Sequence, residues 1–118
     1  MTPAARYQSG LAAEEVVAAA YARAGCPVLR RRWRGPGGEI DLIARDGDGL
    51  IFVEVKAARS FDTAAQRIGP RQQARIMASA AAFLEGEPRG QLTDVRFDVA
   101  LVDRRGAVRL VRNAFEGG

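Results

Sequence analysis

A single lysine, Lys56, stands in this chain among 17 arginines. It closes the run Leu50-Ile51-Phe52-Val53-Glu54-Val55-Lys56, shortly after Gly38-Glu39-Ile40-Asp41. An ammonium is a compact point charge on a flexible stem, whereas a guanidinium is a broad planar fork, and the two do different work beside a phosphate. Two carboxylates, Asp41 and Glu54, with an ammonium two residues further on, are the groups that hold a hard divalent cation and steady charge on a phosphodiester. Glu39 adds a fourth charge to the set.

These residues meet only if the strands that carry them pair in one register. A hairpin centred on Gly47-Asp48 sets Asp41 opposite Glu54, Glu39 opposite Lys56 and Ile43 opposite Phe52. Directly opposed side chains share a sheet face, with Cβ atoms roughly 4.5–5.5 Å apart. Ile40, Leu42, Val53 and Val55 then point to the other face. Both faces are apolar, which makes these strands central. Opposed like charges destabilise a strand pair, and a cation between Asp41 and Glu54 resolves the conflict. The backbone carbonyl of Val55 offers a further oxygen. The plainer alternative is an exposed charged face with cross-strand ion pairs.

The rest of the composition narrows the chemistry. With no histidine, the chain has no Ser-His-Asp triad, no imidazole acid or base and no His-ligated zinc. A metal site has to be lined by oxygen, which favours Mg²⁺ or Mn²⁺. The lone Cys26 precludes an internal disulfide, reads as a small buried residue and suits a reducing cytoplasmic setting. The net charge of +4 is compatible with a polyanionic partner. No apolar run is long enough to span a membrane, and no secretory core follows the N-terminus.

The 118 residues suit one domain, 1–118, in the order α-β-β-β-α-β-β. A first helix is expected from about Ala4 to Ala24, stopped by Gly25-Cys26-Pro27. Its stripe Tyr7, Leu11, Glu14, Ala18 and Tyr21 puts Glu14 on the core side and Glu15 off it. Strands are expected at Val28–Trp33, Glu39–Arg45, Leu50–Lys56, Thr93–Val102 and Ala107–Val111. A second helix runs from Pro70 to about Leu84 with Gln73, Ile76, Ala80 and Phe83 on one side. Ala57 to Arg67 reads as a mobile loop. The result is an α/β domain with a mixed central sheet flanked by helices.

Asp41 followed by Glu54-Val55-Lys56 resembles the D…(D/E)-x-K signature of the restriction-endonuclease-like PD-(D/E)XK superfamily, and Glu14 resembles the helix-one glutamate of its Holliday-junction resolvases. The chain resembles the YraN-like family more closely, through Gly10-Leu11-Ala12-Ala13-Glu14, Gly38-Glu39-Ile40-Asp41-Leu42-Ile43-Ala44, Phe52-Val53-Glu54-Val55-Lys56, Arg96-Phe97-Asp98-Val99 and Asn113-Ala114-Phe115. The resemblance implies an endonuclease fold over nearly the whole chain. It departs from the family pattern at Ala58, where an arginine is usual, at Gln72, where a lysine is usual, and at Arg32, where an asparagine is common.

The resulting expectation is a metal-dependent nuclease acting on DNA, in a branched or otherwise structured form. Asp41, Glu54, the Val55 carbonyl and Glu14 surround Mg²⁺ or Mn²⁺, with Glu14 a direct ligand or an anchor behind one. Lys56 neutralises developing charge or orients water, and Glu39 holds Lys56. Arg30, Arg32, Trp33 and Arg34 on the first strand, Arg59 after the third, and Arg71 and Arg75 on the second helix are candidate nucleic-acid contacts, with Trp33 stacking on a base. The alternatives for these basic groups are a solvated helix ridge and a charged edge strand that resists aggregation. The rival functions are a binding module without cleavage, serving DNA repair, recombination or processing, and a protein-interaction domain. A second copy of the chain or a repair enzyme is a candidate partner.

Overall fold

The computed structural model describes residues 3–57 and 68–115, with side chains from residue 11 onward. Helix α1 (Pro3–Arg23) leads into strands β1 (Val28–Gly35), β2 (Gly38–Asp46) and β3 (Gly49–Ala57). Helix α2 (Pro70–Leu84), a short 3-10 turn (Gly90–Leu92), and strands β4 (Val95–Val102) and β5 (Val108–Val111) complete the order expected from the sequence. The five strands form one sheet in sequential order. Only the β3–β4 pairing is parallel, so the crossover carrying α2 lies between those two strands.

Apolar periodicity accounts for the two layers. On one side of the sheet Ala13, Val17, Ala18 and Tyr21 of α1 cover Leu42, Ala44, Ile51, Val53, Ala100 and Val102. On the other, Ile76, Ala80 and Leu84 of α2 cover Ile43, Leu50, Phe52, Val99 and Leu101. An aromatic chain runs through this second layer: Trp33 meets Phe83 edge-on at 5.2 Å, and Phe52, Phe97 and Phe115 stack in turn at 5.5 and 4.8 Å. Leu11 departs from the expected core stripe and is 36% exposed, because the buried set of α1 begins at Ala13. Tyr7, Arg59 and Arg67 lie outside the described side chains, as does the loop expected over 57–67 apart from Ala57.

Local chemistry sets the joints. Gly25 takes φ 84° and the Cys26 amide reaches back to the Tyr21 carbonyl at 2.9 Å, a left-handed stop that ends α1. Gly37 sits where a Cβ would fall 2.0 Å from the Arg75 carbonyl oxygen, so the β1–β2 turn can press against α2 only as glycine. Ser79, fully buried, fastens that turn: its hydroxyl accepts from the Gly37 amide at 3.0 Å and donates to the Gly38 carbonyl at 2.8 Å.

The β2–β3 register is the one read from the turn. Ile43 pairs with Phe52 and Leu42 with Val53. There the ladder stops. β2 stays with β1 through Trp33–Ile40 and Arg34–Glu39, while β3 stays with β4 through Lys56–Leu101 and Ala57–Val102. The sheet therefore forks at Asp41 and Glu54, and the expected ladder pairs Asp41–Glu54 and Glu39–Lys56 do not form. Ile40 also departs from expectation, since it joins the α2 layer while Leu42 joins the α1 layer. The cause lies opposite Asp41, where Arg32 takes φ 49°. That left-handed residue reverses the alternation, so Arg31 faces α1 and pairs with Glu15 while Trp33 turns to α2.

A carboxylate cluster in the fork of the sheet

Asp41 replaces the missing ladder with its side chain. Its Oδ2 accepts from the Val55 amide at 2.8 Å, so the fork is held open at a fixed width. Across it lies Glu54, whose Oε1 accepts from Gln72 Nε2 on α2 at 3.3 Å. The two carboxyls lie close enough for the charge of Asp41 to act on Glu54. Burial raises the Asp41 carboxyl, with the charges of Glu14 and Glu39 adding to it, against the Val55 amide and Arg32. Glu54 is pushed up to about 7, first by burial and then by Asp41, with Lys56 opposing. Two adjacent carboxyls that cannot both ionise freely are a place where a cation gains more than either group does alone. The donors are all oxygen, which fits a hard divalent ion.

Glu14 reaches the cluster from α1, 7% exposed, as its helical stripe predicted. It does not stand open toward the other two. Arg32 Nε and Nη2 grip both of its oxygens at 3.0 Å. Among the described residues no three carboxylate or thiol side chains converge as a ready ligand set. Lys56 is half-buried at the end of β3, near enough for its charge to act on Glu54. Glu39 does not hold it; Glu39 lies 3.8 Å from Arg34.

A cleft of about 190 Å³ opens beside Glu54, lined by Gly38, Glu39, Gln72 and Arg75. Of the expected nucleic-acid contacts, Arg30, Arg34, Arg71 and Arg75 are exposed. Arg32 and Trp33 are not available in that way: Arg32 is spent on Glu14, and the Trp33 ring is packed on Phe83.

The profile of the family described as "Uncharacterised protein family UPF0102" matches residues 13–102, a span that includes Glu14, Asp41, Glu54 and Lys56. The chain belongs to the UPF0102 family. A UPF0102 protein of Cereibacter sphaeroides (strain ATCC 17029) is 58% identical over 109 residues, covering 92% of this chain and 93% of that protein. One from Ruegeria pomeroyi is 56% identical over 110 residues, covering 93% and 89%. This is the YraN-like family whose motifs the sequence resembles, and the α/β architecture with a five-stranded mixed sheet is consistent with the restriction-endonuclease-like fold.

Two of the segments that carry the resemblance, Arg96-Phe97-Asp98-Val99 and Asn113-Ala114-Phe115, form one structural knot, which the sequence alone did not assign. Asp98, 1% exposed, accepts from the Tyr21 hydroxyl at 2.6 Å, from Arg96 at 2.9 and 3.0 Å, and from the Asn113 amide at 3.2 Å. Ala114 then donates to the Phe97 carbonyl at 2.7 Å. The knot ties α1 and the C-terminal segment to β4. The Gln72 contact to Glu54 also escaped sequence reasoning; its signal was the departure from lysine at that position.

Proposed function

We propose that the chain is a divalent-cation-dependent phosphodiesterase acting on DNA, with a branched or otherwise structured form as its substrate. The observation that supports this reading is the meeting of Asp41, Glu54 and Lys56 where β2 parts from β3. Asp41 and Glu54, with the Val55 carbonyl, would hold Mg²⁺ or Mn²⁺. When bound, such an ion neutralises charge on the phosphate and acidifies water. The chain's own residues supply the rest. The Val55 amide fixes the Asp41 carboxylate, and Gln72 fixes Glu54 from α2. The Lys56 ammonium steadies charge building on the phosphoryl oxygens. Arg75, which lines the cleft, and the exposed Arg34 and Arg71 would meet the flanking phosphates.

A screen of single-stranded, duplex, flap and four-way DNA with Mg²⁺ or Mn²⁺ tests this reading, with Asp41→Asn as the inactive control. Cleavage of one or more substrates that is lost in Asp41→Asn supports it. Failure of every substrate with either ion favours a second reading, a nucleic-acid-binding module without cleavage. The observation in favour of that second reading is the engagement of Glu14 by Arg32. No helix among the described residues is long and apolar enough to cross a membrane.

A further inference from the structure

Arg32 combines two features that ordinarily oppose each other. Its backbone is left-handed, φ 49°, a conformation that L side chains avoid and that asparagine tolerates far better than arginine. Its side chain nonetheless makes a two-pronged ion pair, Nε to Oε1 and Nη2 to Oε2 of Glu14, both at 3.0 Å. Strain of this kind persists where surrounding contacts over-determine it. Here Arg31 is drawn to α1 by Glu15 and Trp33 to α2 by Phe83, and the guanidinium between them is delivered to Glu14.

We infer that Arg32 is the permanent counter-cation of Glu14, and that the site therefore takes one divalent ion, on Asp41 and Glu54. This rests on the metal reading above. Both Glu14 oxygens are committed to the fork-to-fork geometry that makes guanidinium–carboxylate pairs strong. Arginine cannot shed its proton in a protein, so its charge stays opposite Glu14. An ion seeking Glu14 would have to expel the guanidinium and leave a partly buried positive charge beside a divalent one. Arg32 is thus a positioning residue. It neutralises Glu14, keeps it from the ion and limits both the number of ions and their affinity.

Mn²⁺ titration by calorimetry, with free ion followed by electron paramagnetic resonance, tests this. Wild type should bind one ion per chain; two ions would overturn the inference. Arg32→Asn suits the backbone, frees Glu14, and should bind Mn²⁺ at least about tenfold more tightly or take a second ion. An unchanged titration would overturn the inference. The double variant Glu14→Gln/Arg32→Asn deletes opposite charges together, and should bind one ion within about threefold of wild type. A tenfold loss there would make Glu14 a ligand and sink the inference while leaving the metal site itself standing. If wild type binds no Mn²⁺, the metal reading falls and this inference falls with it. Melting in EDTA verifies that each variant is folded; if Arg32→Asn alone is not, two ions in wild type or a tenfold loss in the double variant still overturns the inference.

Discussion

The Val55 amide donates to Asp41 Oδ2 at 2.8 Å at the step where β2 and β3 cease to pair. One side chain thereby does the work of a backbone rung and also sets its charge beside Glu54. The fork and the carboxyl pair are one feature, and substitutions at Asp41 should separate its two roles.

Asp41→Asn keeps a side-chain oxygen for the Val55 amide and removes the charge. The metal-free protein should melt no lower than wild type, and higher if repulsion from Glu54 and Glu14 dominates. Asp41→Ala strands a partly buried donor and should cost about 1–3 kcal/mol. Mn²⁺ should raise the melting temperature of wild type by mass action and of neither variant. A full Mn²⁺ response in Asp41→Asn would remove Asp41 from the site.

The raised Glu54 carboxyl makes stability depend on pH in a defined direction. Its ordinary value is 4.5 and its folded value about 7, so between them the folded chain binds the extra proton. Stability is therefore fully present below about pH 4.5 for this group and is lost as pH rises through 7. Asp41, also raised, acts in the same direction. With no histidine in the chain, few other groups titrate across pH 5.5–8. Urea unfolding in EDTA at several pH values should show stability falling over that range, and Glu54→Gln should flatten the fall. A rise with pH would contradict the carboxyl pair.

The order and bounds of the elements were legible because apolar periodicity and turn glycines carry them. Gly47-Asp48 set a register that the structure keeps from Asp46–Gly49 to Leu42–Val53. The fork was not legible. It depends on one left-handed arginine inside a basic run, and Arg30-Arg31-Arg32-Trp33-Arg34 reads as simple alternation when written out. The same reversal took Arg32 and Trp33 from the expected phosphate-facing strip. Ser79 and Asp98 escaped for another reason: a lone polar residue in an apolar stretch reveals its partners only once distant elements are packed.

Tyr21 and Asp98 test that second kind of residue. Burial, then the hydrogen bond to Asp98, drives the Tyr21 hydroxyl well above its usual range, so it stays a donor. Tyr21→Phe should lower stability by about 1.5–3 kcal/mol, as expected for a bond to a charged acceptor. Asp98→Ala leaves Arg96 without its partner and should cost about 3–5 kcal/mol. Tyr21 lies two helical turns from Glu14, about 10 Å along α1, so Tyr21→Phe should leave the Mn²⁺ midpoint unchanged. Chemical denaturation and Mn²⁺ titration of the same samples check both halves.

If Arg30, Arg34, Arg71 and Arg75 meet phosphates, DNA affinity should fall linearly on logarithmic axes as salt rises. Replacing any one by Ala should shallow the slope by about 0.7–0.9. Fluorescence anisotropy across a salt series measures it. Salt-independent binding would assign these groups to solvent.

Lys56 carries the sharpest test, because a chain that otherwise uses only arginine could have supplied positive charge there without it. Lys56→Arg preserves the charge, and half-burial at the strand end leaves room for the stem. Fold and DNA affinity should therefore survive. The guanidinium is broader, however, and presents a planar fork where a compact ammonium acts on Glu54 and the phosphate. Losing one well-placed electrostatic contact commonly costs about 10²–10³ in rate, and Lys56→Arg should fall by that factor. Lys56→Ala should be at least as slow. It also removes the positive charge that holds the Glu54 carboxyl down, so the pH-dependent loss of stability should deepen in Lys56→Ala but not in Lys56→Arg. Single-turnover cleavage with denaturation at matched pH gives both readouts. Wild-type cleavage by Lys56→Arg would show that charge alone suffices at this position and would remove the role assigned to the ammonium.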